Sequence, residues 1–151
     1  MELSDASRVL AGILLISLVT VESGGALMLR IVRGNQPATP VQQTFFRAGH
    51  AHAGVFLILA LVCQVLVDVT TLTGLAEWVA RAFVPIAALL LPGGFFLSVT
   101  RRGATEPNRL VLMIPVGGVV LAIGLLTLGL GLLTAALFDR IRRESLAKIF
   151  V

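Results

Sequence analysis

The stretch Val116-Gly117-Gly118-Val119-Val120-Leu121-Ala122-Ile123-Gly124-Leu125-Leu126-Thr127-Leu128-Gly129-Leu130-Gly131-Leu132-Leu133 holds no charged side chain and one hydroxyl. The charge-free run continues outward to Leu110 and to Phe138. About 20 apolar residues in helical form cross a hydrocarbon core roughly 30 Å thick. The run therefore reads as a membrane span, near 107–139, long enough to tilt or to extend beyond the bilayer. Three further apolar stretches meet the same length, near 8–33, 40–69 and 74–101.

The whole chain agrees with that reading. Of its 151 residues, 57% are hydrophobic and 13% charged, against roughly 25% charged in soluble domains. Both a soluble domain and a disordered chain are excluded. Net charge is +4, but the basic residues are scattered through connections and the tail, so nucleic acid is excluded as a partner. Cys63 stands alone and forms no intrachain disulfide. The acidic start Met1-Glu2-Leu3-Ser4-Asp5, followed by an apolar run too long for a cleaved signal, makes the first stretch a retained span.

Segment ends carry local signals. Gly34-Asn35 closes the first helix, because both residues tolerate a left-handed backbone. Thr39-Pro40-Val41-Gln42 combines a capping Thr, a proline at the first helical position and a Gln three residues after the cap. Thr73 is placed to cap the third helix, which contains Pro85 and the expected breaker Pro92-Gly93-Gly94. Residues 140–151 form a basic tail expected at the membrane surface. Lipid offers no hydrogen-bond partners and no alternating strands are present, so the expected fold is all-α: one polytopic four-helix transmembrane bundle over residues 1–151. Gly117, Gly124 and Gly131 recur every seven residues and read as a packing stripe.

Orientation is not decided by charge. Arg30, Arg33, Arg47, Arg101, Arg102 and Arg109 fall on one side, with Arg8, Arg81, Arg140, Arg142, Arg143 and Lys148 on the other. Six against six gives the positive-inside rule no excess to act on and leaves dual topology open. The expected location is a bacterial cytoplasmic membrane.

Function rests on the polar residues that a bilayer disfavours. Glu22 lies inside the first span, where a carboxyl is a functional candidate by default. Counted from the first connection, Glu22 and His50 lie roughly 15 Å deep on helices one and two. Pro92-Gly93-Gly94 and Pro115-Val116-Gly117 fall in the same layer. That coincidence predicts a pocket lined by Ser23, Gly25, Gly54, Pro92, Gly93 and Pro115. At 100° per residue, Gly54, Leu57, Leu61, Gln64 and Asp68 follow His50 on one face, whereas His52 lies 200° away with Val55, Phe56, Leu59 and Cys63. The two imidazoles therefore cannot chelate one ion on a regular helix. Gln64, Asp68, Glu77, Trp78 and Arg81 sit nearer the opposite surface, Trp78 as an interfacial anchor.

A neutral imidazole ligates transition metals or haem iron, and a nearby carboxylate completes or orients the set. On this reading His50 and Glu22 bind a haem or metal ion, His52 is an additional ligand candidate, and Arg47 contacts an anionic group such as a haem propionate. The same pair in low dielectric equally supports proton-coupled transport through Glu22. A third possibility is a structural link in a non-catalytic subunit of a larger membrane complex. A homo-oligomer is expected, and no nucleophile or phosphate loop marks an enzyme acting on its own.

In organisation, four spans in a short chain with one carboxylate in the first helix and balanced charge, the protein resembles the small multidrug resistance transporters. Their surrounding motif is absent, so the likeness covers layout and Glu22. The stretch Phe46-Arg47-Ala48-Gly49-His50-Ala51-His52-Ala53 resembles the histidine-bearing helices of haem-copper oxidase catalytic subunits. It lacks their further histidines, and oxygen reduction is not implied.

Overall fold

A computed structural model of the protein describes residues 2–149. Four helices long and apolar enough to cross a membrane form a bundle, and no strand occurs among the described residues. They are α1 (Asp5–Val32), α2 (Pro40–Val67), α3 (Gly74–Leu97) and α4 (Met113–Ile149), with a short 3₁₀ turn, Arg109–Leu112, leading into the last.

The helix ends follow local chemistry. Ser4 caps α1, its hydroxyl accepting from the Ser7 amide, so the helix starts three residues before its expected position. Gly34, at φ 74°, takes the left-handed conformation just past the end of α1. At α2, Thr39 and Gln42 cap each other reciprocally around Pro40. The hydroxyl of Thr73 makes no capping bond to α3.

Three expected boundaries are corrected. First, α3 continues through Pro85 and Pro92 as one helix and stops at Leu97. Pro92-Gly93-Gly94 does not break it, because a bilayer provides no alternative partners for freed backbone groups and the neighbouring helix holds the segment. Second, α4 begins at Met113, after the 3₁₀ turn, and not near Pro107. Third, the basic tail is helical as far as Ile149, continuous with α4, and Phe150 and Val151 lie outside the described residues.

Packing runs mainly between sequence neighbours, with α2 and α3 central and α1 at the edge against α2. Gly117, Gly124 and Gly131 let α4 lie close on α3: a Cβ built on each would come within 2.8 Å of Leu91, 2.8 Å of Phe83 and 2.6 Å of Leu72, respectively. Gly94 receives Ile114 in the same way from α3's side. Gly131 is thus level with the α2–α3 connection, and α4 continues for 18 residues beyond it, roughly 27 Å at 1.5 Å per residue. The core combines Leu14, Leu57, Ala60, Cys63, Ala80, Val84 and Leu128. On α1 only Ser7 and Leu14 are fully buried.

Candidate functional site

Gly24 and Gly25 of α1 expose bare backbone toward α2, and the His50 ring fills that space. Its Nδ1 lies 3.2 Å from where a Gly24 Cβ would stand, and its Nε2 3.7 Å from that of Gly25. The expected depth match between helices one and two is therefore present, with Glu22 within one turn of the imidazole along α1. Yet Glu22 is exposed, and no hydrogen bond or ion pair joins it to His50 or to any other described residue. His50 is half-buried and its side chain makes no hydrogen bond among the described residues.

His52 lies elsewhere on α2, as a regular helix requires. It packs on Phe56 and on Phe95 of α3, ring centroids 5.5 and 5.1 Å away. Its Nδ1 lies 2.7 Å from the Ala48 carbonyl oxygen. A carbonyl only accepts, so Nδ1 is the donor in this contact. Gly49 is buried against Phe95 and Phe96, and α2 runs unbroken between the two histidines.

The remaining predicted residues do not line one cavity. Ser23 is exposed and donates to the Thr20 carbonyl at 2.6 Å. Gly25 borders His50, while Gly54 has nothing close to it. Pro92 is buried, Gly93 meets Met113 of α4, and Pro115 is exposed. The irregular elements of the expected layer pack against one another in pairs, α1 on α2 and α3 on α4, because glycines there serve close helix contact. No three His, Cys, Asp or Glu side chains converge among the described residues.

One arrangement unites the functional candidates differently. With His50 taken as pointing to α1, Gly49 and Cys63 toward α3 lie about 100–140° to one side of α2 and Arg47 about 60° to the other. Glu22 lies about 60–80° round α1 from Leu14 and Gly25, which face α2. Because the helices are antiparallel, these rotations bring Glu22 and Arg47 to the same side of the α1–α2 hairpin, away from α3. Both side chains are exposed there, with His50 at the seam between them. Arg47 has no carboxylate partner among the described residues. The hairpin thus carries an acid and a base on one uncovered face of the bundle.

A second polar cluster closes the other end of the bundle. Arg81, 2% exposed, donates through Nη2 to Asp68 Oδ1 at 2.9 Å and Glu77 Oε1 at 2.8 Å, and through Nη1 to the Ser7 hydroxyl. Ser7 donates in turn to the Gln64 carbonyl at 3.0 Å, and Ser4 donates to Asp68 from both its amide, 2.9 Å, and its hydroxyl, 3.0 Å. Gln64 donates to the Arg81 carbonyl at 2.8 Å and leaves its own buried Oε1 without a partner among the described residues. Burial opposes ionisation of Asp68, but the Ser4 amide, the Arg81 guanidinium and the serine hydroxyls hold its carboxyl down at about 2. The cluster ties α1, α2 and α3 together, one guanidinium bridging two carboxylates, and its bonds are those of a clasp between helix ends. Sequence reasoning placed four of its members at this surface without joining them. An arginine set among Val79, Ala80, Ala82 and Phe83, with a carboxylate one turn before it, was the available signal.

No known family model matches the chain, and neither a curated protein nor a solved structure does.

Proposed function

We propose that this protein works as a homo-oligomer in the membrane, with copies meeting along the outer side of the α1–α2 hairpin. Glu22 there takes up and releases a proton coupled to solute passage, which makes the protein a small proton-linked transporter or channel. The observation behind this reading is the exposure of Glu22 in the middle part of α1, on the same side of the hairpin as Arg47 and without a partner among the described residues. A charge left at a helix centre against lipid costs at least roughly 2.5–3.5 kcal/mol on insertion scales. A second copy removes that cost by turning two such faces toward a shared, hydrated interior.

Vesicles loaded with a pH-sensitive dye and given a potassium diffusion potential test the proposal. The wild type is expected to admit protons and Glu22→Gln to stop them, while a cysteine at Val19 on the exposed side of α1 cross-links between copies. Equal proton entry with Glu22→Gln, or no cross-link in native membranes, ends the reading.

One observation favours a second reading. The His50 imidazole has no hydrogen-bond partner among the described residues and lies one turn from Arg47, so paired copies would offer two axial ligands for a haem and two cations for its propionates. Soret absorption of the purified protein, lost in His50→Ala, is the result that this reading requires.

A further inference from the structure

Gln42 makes the first and third connections into a single built surface. Its Nε2 donates to the carbonyls of Val99, 2.9 Å, and Arg101, 3.0 Å, while its Oε1 accepts from the Thr39 amide at 3.1 Å. The Thr39 hydroxyl donates onward to the Ala104 carbonyl. These bonds pin the α3–α4 connection to the α2 N-terminus and leave a groove of about 740 Å³ beside it. Its apolar wall is Leu27 and Phe46, the latter stacked on Phe96 at 5.9 Å; its polar end holds Gln36, Thr100 and Arg102.

We propose that this groove binds an anionic phospholipid, with the headgroup phosphate at Arg102 and an acyl chain along Leu27 and Phe46. Three observations select that occupant. No acidic side chain lines the groove. Arg102 makes no ion pair or side-chain hydrogen bond among the described residues, and its whole membrane face sets Arg30, Arg33, Arg47, Arg101, Arg102 and Arg109 against the single acid Glu106. On the opposite face Arg8, Arg81 and Arg140 are each paired with a carboxylate. The third observation is place and size. The groove opens beside the last turns of α1, at the end of the bundle where α1 stops and α2 starts, and is far larger than a phosphate ion, within the roughly 300–1,000 Å³ of small-molecule sites. Basic pockets between membrane helices hold phosphate headgroups.

Native mass spectrometry of the full chain in neutral detergent, offered equal phosphatidylglycerol and phosphatidylcholine, reads the preference directly. The wild type is expected to retain phosphatidylglycerol roughly fivefold better, the worth of one basic side chain facing an anionic lipid. Arg102→Gln removes the preference. Arg101→Gln, which does not line this groove, keeps it, and Leu27→Trp lowers retention by filling the apolar half. Arg102 is exposed and makes no internal bond, so circular dichroism of Arg102→Gln should match the wild type. Equal retention of both lipids by the wild type overturns the proposal. So does an equal loss with Arg101→Gln, which marks diffuse charge, or displacement of the lipid by millimolar inorganic phosphate, which marks a simple anion site.

Discussion

Replacing Arg81 with alanine tests whether the clasp at the α1, α2 and α3 ends holds the bundle together. Arg81 is 2% exposed and the Asp68 side chain 5%, so the substitution strands a buried carboxylate. Breaking a buried ion pair by removing one partner costs roughly 3–5 kcal/mol. The Glu77 bond adds little, because that side chain is 34% exposed and solvent screens it. Ser4 still donates two bonds to Asp68, which places the expected loss near the lower end, about 3 kcal/mol.

The pH dependence carries a matching signature. Asp68 is held at about 2 against an ordinary 3.8. A depressed carboxyl stabilises the fold fully above its unfolded value and loses that contribution as pH falls through its folded value. About 2 kcal/mol of stability should therefore disappear between roughly pH 4.5 and pH 1.5. Unfolding by dodecyl sulfate in mixed micelles measures both quantities, and a double-mutant cycle with Asp68→Asn isolates their coupling. In Arg81→Ala part of the acid-labile stability should already be gone, the remainder being held by the Ser4 amide and hydroxyl. A loss below about 1 kcal/mol, or additive effects of the two substitutions, would show that the clasp is ornamental to stability.

Two other substitutions probe the surfaces that position the helices. Gly124→Ala places a Cβ 2.8 Å from the Phe83 Cβ and should cost about 1–3 kcal/mol in the same micelle assay, whereas Gly118→Ala meets nothing within 4 Å and should be neutral or slightly stabilising; equal effects would refute the account of the glycine stripe. Gln42→Ala removes the donor shared by two connection carbonyls and one side of the α2 capping box, at about 2 kcal/mol, and hydrogen exchange should become faster in residues 99–104; unchanged protection there would mean that the connection is held by something else.

Local chemistry made much of the frame legible in advance. The capping Thr39, Pro40 and Gln42 gave the start of α2 to the residue, and Gly34 marked the end of α1 because its backbone conformation suits few other residues. The seven-residue glycine spacing pointed to close packing of α4 without naming its partner. His50 and His52 separated to different sides of α2 as helical periodicity demands. What could not be read was the consequence of the prolines in α3, since a proline's effect depends on whether neighbours hold the freed backbone. The side of α1 on which Glu22 emerges was equally hidden, because it depends on the rotation of a nearly uniform apolar helix, and only Ser7, Leu14 and the Gly24-Gly25 notch fix that rotation.

Sequence alone determined that four apolar segments must be helices in a bilayer, because uncharged runs of that length have no other way to satisfy their backbone. Tertiary structure decided which polar groups meet. Arg81 finds Ser7 across 74 positions of chain, and Gln42 reaches Val99 across 57, through contacts no local pattern encodes. It also decided which polar groups remain without company: Glu22 and Arg47 stand on one open side because α3 packs against the other, and that choice belongs to the shapes of whole helices.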